Sequence, residues 1–195
     1  MKYFVVTVFA LLLVSCAAGT DFKRMDTNKL TYGKSTSVDI VQTQGTPNNT
    51  GSMTKKDVAV DFIGYAYADA NAEADMKGVT PARGQTFFFK DDVLIGSEFT
   101  SSWKSDSTDF DDSKIDMIKK GSTTIEEVIT LIGEPRGEYI HPLVKNEEER
   151  AKVYVYSQTI VSGLTISSKR KELIVSYDPA TNIVTDVEFN QLNVE

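Results

Sequence analysis

Two stretches of this chain repeat one spacing of turn and cap residues, and that repetition narrows the possible folds more than any other feature. Residues 30–47 read LTYGKSTSVDIVQTQGTP and residues 118–135 read IKKGSTTIEEVITLIGEP. Gly33 matches Gly121, Thr36 matches Thr124, Asp39 matches Glu127, Gly45 matches Gly133 and Pro47 matches Pro135, each pair 88 positions apart. The apolar residues Leu30, Ile40 and Val41 shift by the same amount onto Ile118, Val128 and Ile129. This many matched positions without a gap mark an internal duplication.

The shared segment carries local instructions. Thr36-x-x-Asp39 and Thr124-x-x-Glu127 fit a capping box, in which a hydroxyl and a carboxylate satisfy the first free amides of a helix. Ile125, Val128, Ile129 and Ile132 then recur at the spacing of one buried helical face. Gly45 and Gly133 suit a left-handed helix end, and the proline two residues later prevents continuation. Gly33 and Gly121 would close a preceding short helix that carries Leu30, or Ile115 and Ile118. Each copy is therefore expected to open with a helix pair.

Beyond each pair the hydrophobic period becomes alternating. Residues 58–68, 85–90 and 92–100 read as strands in the first copy, and residues 152–161, 171–177 and 182–191 in the second. The sequence DPATN at 178–182 is a strong hairpin signal, and Lys90-Asp91-Asp92 looks like its shorter counterpart. Residues 45–56 and 139–150 are polar and read as exposed loops, while 101–112 joins the copies. The expected fold class is α+β: two tandem repeats of a helix pair followed by antiparallel strands, with the helices packed on one face of a sheet. The first repeat would occupy 26–103 and the second 104–195.

The chain opens with Met1-Lys2 and a largely apolar run over residues 3–14. That run is too short to span a bilayer, which takes about 20 apolar residues, and has the length of a signal-peptide core. The residues that follow, Leu13-Val14-Ser15-Cys16-Ala17, resemble the bacterial lipobox. That resemblance implies a signal peptide over 1–15, cleavage before Cys16, acylation of Cys16 and a lipidated tether over 16–25. Cys16 is the only cysteine, so no internal disulfide competes for it. Two or three acyl chains hold a protein firmly to a membrane. Ala17 after the cysteine resembles the outer-membrane sorting signal, which implies an outer-membrane anchor with the chain facing the periplasm.

The helical motif itself resembles that of the SmpA/OmlA family of envelope lipoproteins. The resemblance rests on Gly33, Thr36, Asp39, Ile40, Gly45 and Pro47 in the first copy, and on Gly121, Thr124, Glu127, Val128, Gly133 and Pro135 in the second. That family usually carries one copy. A tandem pair is similar to the β-lactamase inhibitor protein fold, in which a concave sheet grips a partner enzyme. The two resemblances imply a non-catalytic binding or scaffolding module with an envelope protein partner, acting with outer-membrane assembly machinery. The alternative they imply is an inhibitor or sensor that binds an envelope enzyme through its sheet face.

The residues argue against chemistry. His141 is the only histidine and sits in a polar loop, so the usual zinc ligands are lacking. There is no G-x-S-x-G elbow and no phosphate-cradling glycine loop. Asp106, Asp109, Asp111 and Asp112 lack the glycine and terminal glutamate of a calcium loop and read as linker and helix cap. No catalytic residue, metal or cofactor is expected. A net charge of −7 gives no general attraction to nucleic acid. The basic clusters Lys55-Lys56, Lys119-Lys120 and Lys169-Arg170-Lys171 read as solvated surface.

The remaining lead is aromatic. Side chains alternate along a strand, so Tyr65 and Tyr67 share one face of theirs, as do Tyr154 and Tyr156. If Val58, Val60, Val153 and Val155 point toward the helices, the tyrosines are left on the open face. With Trp103 at the junction, they form the expected partner-binding surface, because tyrosine offers large area with a polar tip.

Overall fold

The structure, a computed structural model, describes residues 17–162 and 165–194. Nine antiparallel strands form one sheet that follows the chain almost strand by strand. β1 (Ala17–Gly19) and β2 (Asn49–Lys55) share one edge of β3 (Val58–Asp69). Across the sheet then come β4 (Ala82–Lys90), β5 (Val93–Ser101), β6 (Gly137–Ile140), β7 (Arg150–Ser162), β8 (Thr165–Asp178) and β9 (Ile183–Val194). Hairpins explain this order. Lys56-Asp57 and Asp91-Asp92 are two-residue turns with φ between 50° and 63°, the paired left-handed conformation whose twist matches that of the flanking strands. The copies meet where β6 joins β5, through the pairs Gly96↔Tyr139 and Ser97↔Glu138 and a bond of 3.0 Å from the Phe99 N–H to the Arg136 carbonyl.

The expected pair of helices at the head of each copy is not what the chain forms, and no helical layer covers one face of the sheet. The fold is predominantly an antiparallel sheet. It carries two helices of eight residues each, α1 (Ser37–Gln44) and α2 (Ile125–Ile132), and two 3-10 turns, Thr27–Lys29 and Asp112–Met117. The first member of each pair fails for want of length. Asp26 caps the first turn and extended backbone resumes at Leu30; Asp111 and Ile118 bound the second in the same way. A helix needs more residues than that to offset its costly first turn. The first of the loops expected after the helices contains a strand instead, whereas residues 141–149 are turn. β2 is exposed along nearly all its length and lacks the apolar alternation that marks a strand, yet it pairs with β3 over seven residues.

The local signals do act. Both capping boxes form: Thr36 with Asp39 starts α1, and Thr124 with Glu127 starts α2. Gly45 and Gly133 close the two helices at φ 85° and 104°. Gly33 and Gly121, at φ 82° and 77°, do not end helices but sit in turns. Their N–H groups donate to the carbonyls of Leu94 and Val184, each at 2.8 Å, and so tie each turn to the start of β5 or β9.

The interior lies on both sides of the sheet. Beneath α1, Ile40 packs with Met25, Tyr65, Phe87, Phe89 and Leu94. Beneath α2, Ile125, Val128 and Ile132 pack with Tyr154, Tyr156, Leu173, Val175 and Val184. On the opposite face Val60, Phe88, Tyr139, Val153, Val155 and Ile174 form a third core, roofed by Leu143 and Val144. Gly96 makes that roof possible, since a Cβ there would lie 2.7 Å from Leu143 Cδ1 and 2.8 Å from Tyr139 Cδ1. Each fully buried aliphatic or aromatic side chain contributes about 1.5–3 kcal/mol.

Candidate functional site

The face roofed at one end by Leu143 is open at the other, and there the sheet forms a trough of about 740 Å³. Directly paired residues of antiparallel strands project to the same side. The pairs Lys55↔Val58, Thr86↔Glu98, Gly96↔Tyr139, Val155↔Glu172 and Ser157↔Arg170 therefore place Lys55, Glu98, Tyr139, Glu172 and Arg170 together. Lys55 belongs to the first hairpin and Glu172 to β8, so the sheet curves enough for its two ends to face each other.

The floor is a ring of alternating charge. The Lys55 ammonium lies 2.6 Å from Glu98 and 3.1 Å from Glu172, and the Arg170 guanidinium lies 3.0 Å and 3.4 Å from the same two carboxylates. The Tyr139 hydroxyl donates a further short bond to Glu98. Lys55 also stands over the Phe88 and Tyr139 rings, at 5.0 and 5.2 Å. Burial alone would raise the Glu172 pKa, but Lys55 and Arg170 more than reverse this and hold the carboxyl below its ordinary range. Each acid is committed to two cations, so the ring offers no unengaged base or nucleophile. Its evident work is to hold the first hairpin against β8; Lys56 with Glu188 repeats the contact on β9. The mouth exposes apolar area among polar side chains such as Thr54 and Asn190: Met53 is 44% exposed and Phe62 half-buried, and Leu192, 60% exposed, stands beside Arg170 on the same face of the sheet.

The basic clusters are thus not uniformly solvated. The side chains of Lys55 and Lys171 are only 14% and 7% exposed. Lys171 is held by Asp109 at 2.7 Å, by Asp112 at 3.5 Å and by the Phe110 carbonyl, and its ammonium lies 4.4 Å from the Phe110 ring centroid. A clue was present in the period: Lys171 shares its strand face with Leu173 and Val175, and Arg170 shares its face with Glu172 and Ile174.

The tyrosines lie on the face opposite to the one expected. Tyr65, Tyr154 and Tyr156 are buried under α1 and α2, whereas Val58, Val60, Val153 and Val155 point into the third core. All four residues from Val153 to Tyr156 are at most 3% exposed, so alternation alone could not say which face carried the helices. Tyr65 donates to the Gly45 carbonyl at 2.8 Å and Tyr156 to Asp75 at 3.1 Å; Tyr154 has no partner for its hydroxyl. Burial pushes the pKa of all three upward. Tyr67 and Trp103 do come together, with ring centroids 5.7 Å apart, and Arg83 stacks 4.5 Å over the indole. They are half-buried, and Tyr67 shares its strand face with Tyr65; because Tyr65, Tyr154 and Tyr156 are buried, the five residues make no open common patch. His141 is exposed in the loop after β6, and Cys16 lies outside the described residues.

No family model matches the chain, and no curated protein matches it. Among solved structures, a Streptococcus mutans protein provisionally described as a β-lactamase inhibitor protein matches over 80% of this chain and 82% of its own. The identity is 12% and the TM-score 0.39, a likeness that decides neither fold nor role.

Proposed function

We propose that this chain is a bacterial envelope lipoprotein, anchored through Cys16, whose folded part binds another envelope protein without catalysing a reaction. The observation that carries the binding role is the trough: its charged floor is internally neutralised while its mouth exposes Met53 and part of Phe62, with the exposed Leu192 beside it on the same face. Locked ion pairs give shape rather than reactivity, and clustered exposed apolar side chains favour a protein partner. The lipobox-like residues 13–17 supply the anchoring part of the reading.

Photocrosslinking in native membranes tests it. A benzophenone residue at position 53 is expected to yield one discrete adduct with an envelope protein. Leu192→Asp in the same chain should abolish that adduct without lowering the melting temperature. Adducts that form only from probes on the opposite face, or that survive Leu192→Asp unchanged, would overturn the trough as the interface.

A further inference from the structure

A second cleft, of about 520 Å³, lies on the helix side of the sheet where the two copies meet. Arg24, from the segment leading into the first copy, lines it together with Arg136, from the turn that follows α2. The chain has five arginines. Arg83, Arg150 and Arg170 all make ion pairs with carboxylates. Arg24 and Arg136 make none among the described residues, and they are the two that share this cleft.

Most of the carboxylates nearby have other partners. Glu138 takes Arg150 and also Lys152, the latter at 2.8 Å. Asp26 accepts the Asn28 N–H at the start of its own 3-10 turn. Asp106 accepts from Ser101 and lies 3.6 Å from Arg83. Glu134, the remaining acid of the lining, is exposed. Arg24 is half-buried, with its guanidinium 4.9 Å from the centre of the Phe99 ring. Burial and the Arg136 charge work against its protonated form, and together they outweigh the pull of Asp106, Asp26 and Tyr32. Two guanidiniums that line one cleft, neither within ion-pair distance of a carboxylate among the described residues, are the donor set for an oxyanion that bridges them.

We infer that the cleft between the copies binds an anionic ligand, a carboxylate or a phosphate, held between Arg24 and Arg136. The site is separate from the trough and does not rest on the partner-binding reading.

Inorganic phosphate and succinate serve as probes, titrated into the intact chain by calorimetry and by chemical-shift mapping. At least one should bind saturably and shift the backbone amides of residues 24–28 and 134–137. The variant Arg24→Gln/Arg136→Gln should weaken that binding on the order of tenfold or more, since charge-assisted bonds carry it. Its melting temperature should stay close to that of the parent, because neither arginine closes an ion pair. Lys104→Gln, which removes one exposed charge outside the cleft's lining, should bind as the parent does. Saturation by phosphate alone identifies a phosphorylated ligand, and saturation by succinate alone a carboxylate; either supports the site. No saturable binding of either probe, or equal binding by the double variant, would overturn it.

Discussion

Lys55 and Glu172 are 117 positions apart in the chain and 3.1 Å apart in the fold. That contact, with its companions at Glu98 and Arg170, draws the first hairpin over to the eighth strand and gives the sheet its trough.

Lys55→Met should therefore destabilise the protein by about 3 kcal/mol or more, because it leaves two largely buried carboxylates short of a cation. The acid limb of the stability profile should change with it. Glu172 titrates below its ordinary value in the folded state, near 4.5 when unfolded, so its contribution is present above that pH. It fades as the pH falls from there through the folded value, because the unfolded chain takes up the proton first. Denaturant titrations of parent and variant across the acid range should show a shallower dependence in the variant. Parallel curves would count against the assignment.

The two glycines that flank the turn after α2 should respond differently to alanine. At Gly133 a Cβ meets nothing within 4 Å, so the penalty is that of a backbone conformation all but reserved for glycine, on the order of 1–3 kcal/mol. At Gly137 a Cβ would lie 2.4 Å from the Ser97 carbonyl oxygen, and backbone would have to move. Thermal unfolding should place Gly137→Ala well below Gly133→Ala; a reversed order would mean that the β5–β6 junction is looser than drawn.

Among the buried tyrosines, removing one hydroxyl should cost little or nothing. Tyr154 is 3% exposed and its hydroxyl has no partner, so Tyr154→Phe should be neutral or slightly stabilising. Tyr65→Phe gives up the bond to the Gly45 carbonyl at the end of α1 and should lose about 1 kcal/mol. Equilibrium unfolding of the two variants side by side decides the matter.

Lipidation is read from mass. The mature wild-type chain should begin at residue 16 and carry added acyl mass, and Cys16→Ser should block processing. An unmodified mature N-terminus would remove the anchor from the proposed function.

Much of the local structure was written in single residues. The Thr36–Asp39 and Thr124–Glu127 boxes, the helix-closing Gly45 and Gly133, and the tight turn at Asp91-Asp92 all follow from chemistry within a few positions. Helix length was less legible, because Leu30 and Ile118 look like helix residues, yet each is where a short 3-10 turn ends and extended backbone resumes. The orientation of the sheet was not legible at all. Val153 and Tyr154 are equally hidden, and what decides their sides is the roof of Leu143 and Val144, which sits in a stretch that reads as polar. The trough failed to show for a related reason: its ring draws on β2, β5 and β8, and no short window of sequence holds two of those strands.

The junction between the copies acquires a mechanical meaning beside that ring. The two pairs and the Phe99–Arg136 bond that join β5 to β6 are few beside the long zip of β7 and β8, but the Tyr139–Glu98 bond and the core of Val60, Phe88, Tyr139 and Val153 cross the same seam. The molecule is built like a bracelet, held at the middle by a core that both copies share and at its ends by a clasp of charge. A guest that unfastened Lys55 would free the first hairpin, while the packed seam kept the two halves together.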